Sequence, residues 1–203
     1  MKTLISKITM ITSLLGAMTL LPSLGHASEM RLQNQTIYLS TFVIYKGDIL
    51  VAHIQIPPSG LGVVRTDSPF QVQALTKRGG QTLNSQTLNL DRPKNFDAVI
   101  TESGSTLSFD IVDSAPSYLD AVAFNNTTAS PVQFMIKHEG APAQSFIVNG
   151  NDSKILSIDE TFRIYAIING VTTAVYKTTN PNAVANAVVI SQQDFDYYDL
   201  VIE

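Results

Sequence analysis

Three aspartates, Asp194, Asp196 and Asp199, stand close together in the closing stretch "QDFDYYDLVIE". Alternate side chains of a strand share a face, so Asp194 and Asp196 can point the same way while Asp199 reaches back from the following turn. Oxygen donors this close suit Ca²⁺, which takes about six to eight oxygens at about 2.3–2.6 Å. The competing reading is a solvated turn into a last strand, Leu200-Val201-Ile202, with its charge discouraging edge-to-edge pairing. Tyrosines form a second set. Tyr165, Tyr176 and Tyr197 offer amphipathic rings on which a sugar could stack. Tyr165 and Tyr176 are otherwise cross-strand neighbours around an Asn169-Gly170 hairpin, a setting that tyrosine favours.

Catalytic grammar is sparse. His53 lies in an apolar strand and His138 at a strand end beside Glu139, while His26 falls in an N-terminal leader, so the histidines read as structural. No serine stands in a G-x-S-x-G elbow, and there is neither a phosphate-cradling glycine loop nor a dinucleotide fingerprint. A glycosidase needs two carboxylates about 5–10 Å apart, and Asp194 with Glu203 is a pair that nothing singles out. No catalytic residue is assigned, and a non-enzymatic role is expected.

The run D-F-D-Y-Y-D-L-V resembles the acidic loop of bacterial calcium-dependent lectins of the fucose-binding type. It is similar as well to calcium-associated β-sandwich modules of exported bacterial proteins. In both, a D-x-D-aromatic-N-D pattern precedes an apolar strand. The resemblance covers about eight residues and implies Asp194, Asp196 and Asp199 as calcium ligands. The family's asparagine is Tyr198 here, and the nearest preceding acid is Glu160.

These residues are carried by a chain that reads as β throughout. Short β-branched and aromatic runs alternate with turn signals. "TIYLSTFVIY" and "ILVAHIQI" flank Lys46-Gly47-Asp48 as a hairpin, Pro57-Pro58-Ser59-Gly60 forces a loop, and Asn169-Gly170 marks a second hairpin. The back ends of two halves also align. Phe70 meets Phe162, Val72 meets Ile164, Ala74 meets Ala166, Val99-Ile100 meets Val189-Ile190, and Phe109-Asp110 meets Tyr198-Asp199. The expectation is an all-β chain of two tandem immunoglobulin-like β-sandwiches, 28–114 and 115–203, from an internal duplication.

Residues 1–27 read as a cleaved signal peptide. Lys2 and Lys7 precede the apolar run Ile8 to Leu21, and Gly25 and Ala27 occupy the two positions a signal peptidase reads. The remainder has no other apolar stretch long enough to cross a bilayer as a helix. Both of those lysines lie in the leader, and 17 acidic residues then face 11 basic ones, which disfavours nucleic acid and anionic lipid as partners. An exported chain with no cysteine must rely on packing alone. The expectation is therefore a periplasmic or extracellular, non-catalytic binding or structural protein of an adhesive, envelope or matrix assembly, with a protein or carbohydrate surface as its ligand. A calcium-dependent carbohydrate-binding module is the alternative. A periplasmic immunoglobulin-like chaperone is a third, without the paired cleft Arg/Lys of that family. Sequons stand at Asn34, Asn125, Asn126 and Asn151.

Overall fold

A computed structural model describes residues 27–104, 106–192 and 195–203. The expected leader, apart from Ala27, lies outside the described residues, as does Asp194. Among the described residues every regular element is a strand, and no helix is long and apolar enough to cross a membrane. The first half carries β1 (Glu29–Asn34), β2 (Ser40–Lys46), β3 (Ile49–Ile56), β4 (Leu61–Arg65), β5 (Phe70–Arg78), β6 (Gln81–Asn84), β7 (Leu88–Leu90), β8 (Asn95–Ser103) and β9 (Thr106–Ser114). The second carries β10 (Ala121–Asn126), β11 (Val132–Lys137), β12 (Gln144–Val148), β13 (Asp152–Ser157), β14 (Phe162–Ile168), β15 (Val171–Thr172), β16 (Tyr176–Thr178), β17 (Val184–Gln192) and β18 (Phe195–Ile202).

Period-two patterning explains why these are strands. In β14, Phe162, Ile164, Ala166 and Ile168 are buried, while Arg163, Tyr165 and Ile167 stand on the outer face. β5 repeats the pattern with Phe70, Val72, Ala74 and Thr76. Asn169 and Gly170 both take positive φ (50° and 79°), as a two-residue hairpin turn requires, and join β14 to β15.

The strands form four sheets, in the orders β18-β17-β1-β4, β15-β14-β2-β3, β12-β11-β5-β6 and β13-β10-β8-β9, with β16 beside β14 and β7 beside β5. The first two sheets pack face to face, Ile56 of β3 lying against Leu32 of β1 and over Gly62 of β4. The last two do the same around Phe96, Phe124, Phe134 and Phe146, whose ring centroids lie 5.0–6.0 Å apart. Burying each such ring contributes about 1.5–3 kcal/mol.

Residues 28–114 and 115–203 both contribute to every sheet. The first sandwich joins β1–β4 to β14–β18, and the second joins β5–β9 to β10–β13. The pairings of the two sandwiches mirror one another. β1 pairs in parallel with β17 through Asn34 and Ala187, and β10 pairs in parallel with β8 through Asn126 and Ala98. Phe42 faces Ala166 in the first sandwich, and Phe134 faces Ala74 in the second. Along β8 and β17 the matched residues are Val99 with Val188 and Ile100 with Val189, because Ile100 faces Phe109 and Val189 faces Tyr198. The sequence alignment sits one residue off there, and such a slip exchanges the two faces of a strand.

Two four-residue connections, 66–69 and 158–161, carry the chain between sandwiches. The β2–β3 turn docks on the second of them. Asp48 N–H donates to the Ser157 carbonyl (2.8 Å), Gly47 N–H to the Thr161 carbonyl (3.1 Å), and Ser157 N–H to the Asp48 carboxylate (3.0 Å). Gln144 of β12 bridges back, accepting from Leu50 N–H (3.0 Å) and donating to the Asp48 carbonyl (3.1 Å). Gly47 is required in this contact. Its φ is +56°, and a Cβ there would collide with the Ser157 carbonyl.

Candidate functional site

Each sandwich is fastened by a buried asparagine at the end of its parallel-paired strand. Asn34 donates to the carbonyls of Tyr38 (2.7 Å) and Ile56 (2.9 Å) and accepts from Thr36 N–H (3.0 Å) and hydroxyl (2.8 Å). Asn126 donates to Ser130 (2.8 Å), Val148 (3.0 Å) and Asn149 (3.0 Å) and accepts from Thr128 N–H (3.0 Å) and hydroxyl (2.8 Å). Both asparagines are 1% exposed. Two of the N-x-T triplets are thus structural clamps, which satisfy backbone groups where the chain leaves a strand.

The clamp in the first sandwich presents a loop with an unusual surface. Ile37 is 78% exposed, Leu39 51%, and Tyr38 packs edge-on to Tyr198 of β18 with centroids 5.7 Å apart. The β17–β18 hairpin runs past the end of β1, which stops opposite Ala187. Phe195 at its tip is 62% exposed and lies 6.2 Å from the Tyr197 ring. Asn169 of the β14–β15 turn donates to the Tyr198 hydroxyl at 3.5 Å. The neighbouring Tyr198 hydroxyl raises the Tyr38 pKa. This end of the first sandwich therefore carries apolar groups on both faces of the β17–β18 hairpin, Tyr38 with Tyr198 on the side toward the core and Phe195 with Tyr197 on the other.

The second sandwich supplies an internal comparison. Matched through the clamps, Ile37, Tyr38 and Leu39 correspond to Ala129, Ser130 and Pro131. Matched through the hairpin registers, Ile190, Phe195 and Tyr197 correspond to Thr101, Thr106 and Ser108. The same scaffold is built with small or polar residues at all six positions, so the fold does not require the apolar ones.

The residues singled out in the sequence are partly gathered at this end. Asp199 accepts from the Tyr176 hydroxyl (2.8 Å) and from Leu200 N–H (2.8 Å), and its hydrogen bond to Tyr176 raises that tyrosine's pKa. Asp110, its counterpart on β9, takes the same role with Ile111 N–H (2.8 Å) and Gln86 N–H (3.1 Å). Asp196 is exposed opposite Ser191. Glu160 stands at the far end of β14 from the Asn169 turn, about 20 Å away at strand rise, where it pairs with Lys46 (2.9 Å). Among the described residues no group of three His, Cys, Asp or Glu side chains is disposed to hold a metal. Glu203 accepts from Asn186 (3.2 Å).

Tyr176 and Tyr197 lie close together, whereas Tyr165 belongs elsewhere. Tyr176 is paired with Ile164 and shares its inward face. Tyr165 points outward beside Tyr45, and burial raises its pKa. His53 is exposed on β3. His138 is buried against Phe70, 5.1 Å between centroids, and neither ring nitrogen has a hydrogen-bond partner among the described residues. Burial lowers its pKa, and the nearby backbone of Glu139, Val51 and Ser68 offsets part of that effect. Between the sandwiches a cleft of about 300 Å³ is lined by Lys46, Phe70, Leu119 and 158–160 among others. Its Asp159 is held below the usual carboxylate range, first by Thr161 N–H.

Fold and surface together define an all-β sandwich protein with one apolar, aromatic end. No family model matches the chain, and comparison with curated proteins and with solved structures likewise returns no match.

Proposed function

We propose that this chain is an exported, non-catalytic binding protein of an adhesive, envelope or matrix assembly, and that it holds a protein or carbohydrate surface at the aromatic end of the first sandwich. The observation that carries the reading is the difference between the sandwiches: Ile37, Tyr38, Leu39, Phe195 and Tyr197 stand where the second sandwich has Ala129, Ser130, Pro131, Thr106 and Ser108. Exposed apolar side chains that the scaffold does without are characteristic of recognition surfaces. The test is the double substitution Tyr38→Ser with Phe195→Thr, which installs residues the fold already accepts at the matching places. Binding to cell surfaces, matrix proteins or a glycan array should fall at least tenfold, the equivalent of about 1.4 kcal/mol, while the fold persists with only the small loss expected from the two aromatic contacts, about 0.5–1.5 kcal/mol each. Undiminished binding by the variant would sink the reading.

A calcium-dependent carbohydrate module is the second reading, favoured by Asp199 lying on the same face of β18 as Phe195 and Tyr197. Under it, millimolar Ca²⁺ raises the thermal midpoint over that in chelator, and Asp196→Ala with Asp199→Ala abolishes the rise. An unresponsive wild-type protein refutes it.

A further inference from the structure

The route of the chain divides the molecule unequally. The second sandwich is one continuous stretch, β5 to β13. The first is assembled from two separate stretches, β1–β4 and β14–β18, each joined to the rest by a single four-residue connection. Nothing covalent closes it, since the chain has no cysteine. Its two parts are held by the β1–β17 and β2–β14 pairings and by the core between them.

That core also holds fewer aromatic rings than the other. Position by position, the ring cluster Phe96, Phe124, Phe134 and Phe146 of the second sandwich is matched by Ala185, Leu32, Phe42 and Ile54 in the first. Three rings become an alanine, a leucine and an isoleucine. The ring–ring contacts that tie β8, β10, β11 and β12 together in the second sandwich have no counterpart at these positions of the first. The connections supply the other half of the case. Segment 66–69 ends on Pro69 and already spans from one sandwich to the next, so β4 does not fold back onto β5 of its own half. Short connections of this kind favour exchange of strands between equivalent partners.

We propose that the first sandwich is a strand-exchange clasp: β1–β4 of one copy pairs with β14–β18 of a second copy, in the register used within a single chain, and copies link head to tail. Each link remakes the contacts that its opening breaks, so association costs no new surface and concentration decides the balance between closed monomers and linked copies. The aromatic end is not used, and the proposal goes beyond surface binding without depending on it. The second sandwich, continuous and ring-packed, stays intact throughout.

A chain without native cysteines makes the test clean. Thr41 of β2 and Ile167 of β14 face each other on the outer face of the first sandwich. Gln133 of β11 and Leu75 of β5 occupy the matching places in the second. The purified exported chain, held concentrated in urea near the foot of its unfolding transition and then diluted, should show dimers and longer species by light scattering. Mixing chains carrying Thr41→Cys with chains carrying Ile167→Cys under oxidant should give a disulfide between chains, while Leu75→Cys mixed with Gln133→Cys gives none. Chains carrying both first-sandwich substitutions, oxidised beforehand, should stay monomeric and regain assembly on reduction. The proposal is overturned if no disulfide joins the Thr41→Cys and Ile167→Cys chains. It is equally overturned if both pairs cross-link alike, or if the locked chain still assembles. Should the double variant fold poorly, the mixture of single variants decides alone.

Discussion

Replacing Asn126 by alanine tests what fastens each sandwich. The side chain is 1% exposed, and its amide satisfies the buried Val148 carbonyl while its carbonyl satisfies the buried Thr128 N–H. Truncation leaves both without a partner, and the Thr128 hydroxyl can turn to Ser130, 2.9 Å away. A buried polar group left unpaired costs about 1–3 kcal/mol, so the two together should cost about 3–4 kcal/mol. Urea unfolding followed by far-UV circular dichroism and tyrosine fluorescence reads the loss directly. With a slope of about 2–3 kcal/mol per molar, the midpoint of the second sandwich falls by about 1–2 M. Asn34→Ala makes the same two orphans, the Ile56 carbonyl and Thr36 N–H, and should weaken the first sandwich equally. A loss under about 1 kcal/mol in either variant would refute the clamp and mark these bonds as replaceable by water.

Gly47→Ala forces a left-handed backbone and a collision with the Ser157 carbonyl, and should cost about 2–4 kcal/mol; Gly79→Ala, with similar φ but open space, should cost about 1 kcal/mol. Equal losses in thermal or urea unfolding would contradict the close approach at the junction. His138 is neutral in its buried site, with a pKa below its ordinary value. The unfolded chain takes up a proton below about pH 6.5 that the folded chain resists, so stability present above that pH is lost as pH falls toward the depressed value. His138→Phe should flatten the difference in urea midpoint between pH 7.5 and 5.5, and an unchanged slope would remove His138 as the cause. Tyr176→Phe, which deletes a hydrogen bond to the Asp199 carboxylate, should cost about 1–2 kcal/mol in the same assay.

Local patterning made much of the fold legible. The Lys46-Gly47-Asp48 and Asn169-Gly170 turns lie where the sequence indicates, and the alignment of Phe70, Val72 and Ala74 with Phe162, Ile164 and Ala166 matches equivalent strand positions. The expected strand from Thr36 instead begins at Ser40, because the Asn34 clamp draws 35–39 into a loop. "QTLNSQTLNL" breaks into β6 and β7 where the Ser85 hydroxyl takes Ala74 N–H, as the Thr173 hydroxyl takes Ala166 N–H in the other half. What periodicity does not carry is the choice of partner. β1 has the same apolar alternation whether it meets β8 or β17, and only the length of the connection 66–69 bears on that choice. The aromatic end was visible as residue types, Tyr197 above all. Its coherence depended on Ile37, Tyr38 and Leu39, which read as an ordinary strand segment until the loop is drawn.

The pairing of β1 with β17 also governs the order in which the molecule can be completed. Residues 31–34 are made about 150 residues before their neighbours at 184–187. Until then β1–β4 wait with one face uncovered, while 70–157 already hold everything the second sandwich needs. Closing a loop of this size is slow compared with pairing inside a continuous stretch. Synthesis therefore meets a finished rear body preceded by an unfinished leading hairpin pair, and a chain truncated before residue 184 leaves that pair exposed. Such fragments are the species on which proteases and holding factors act first.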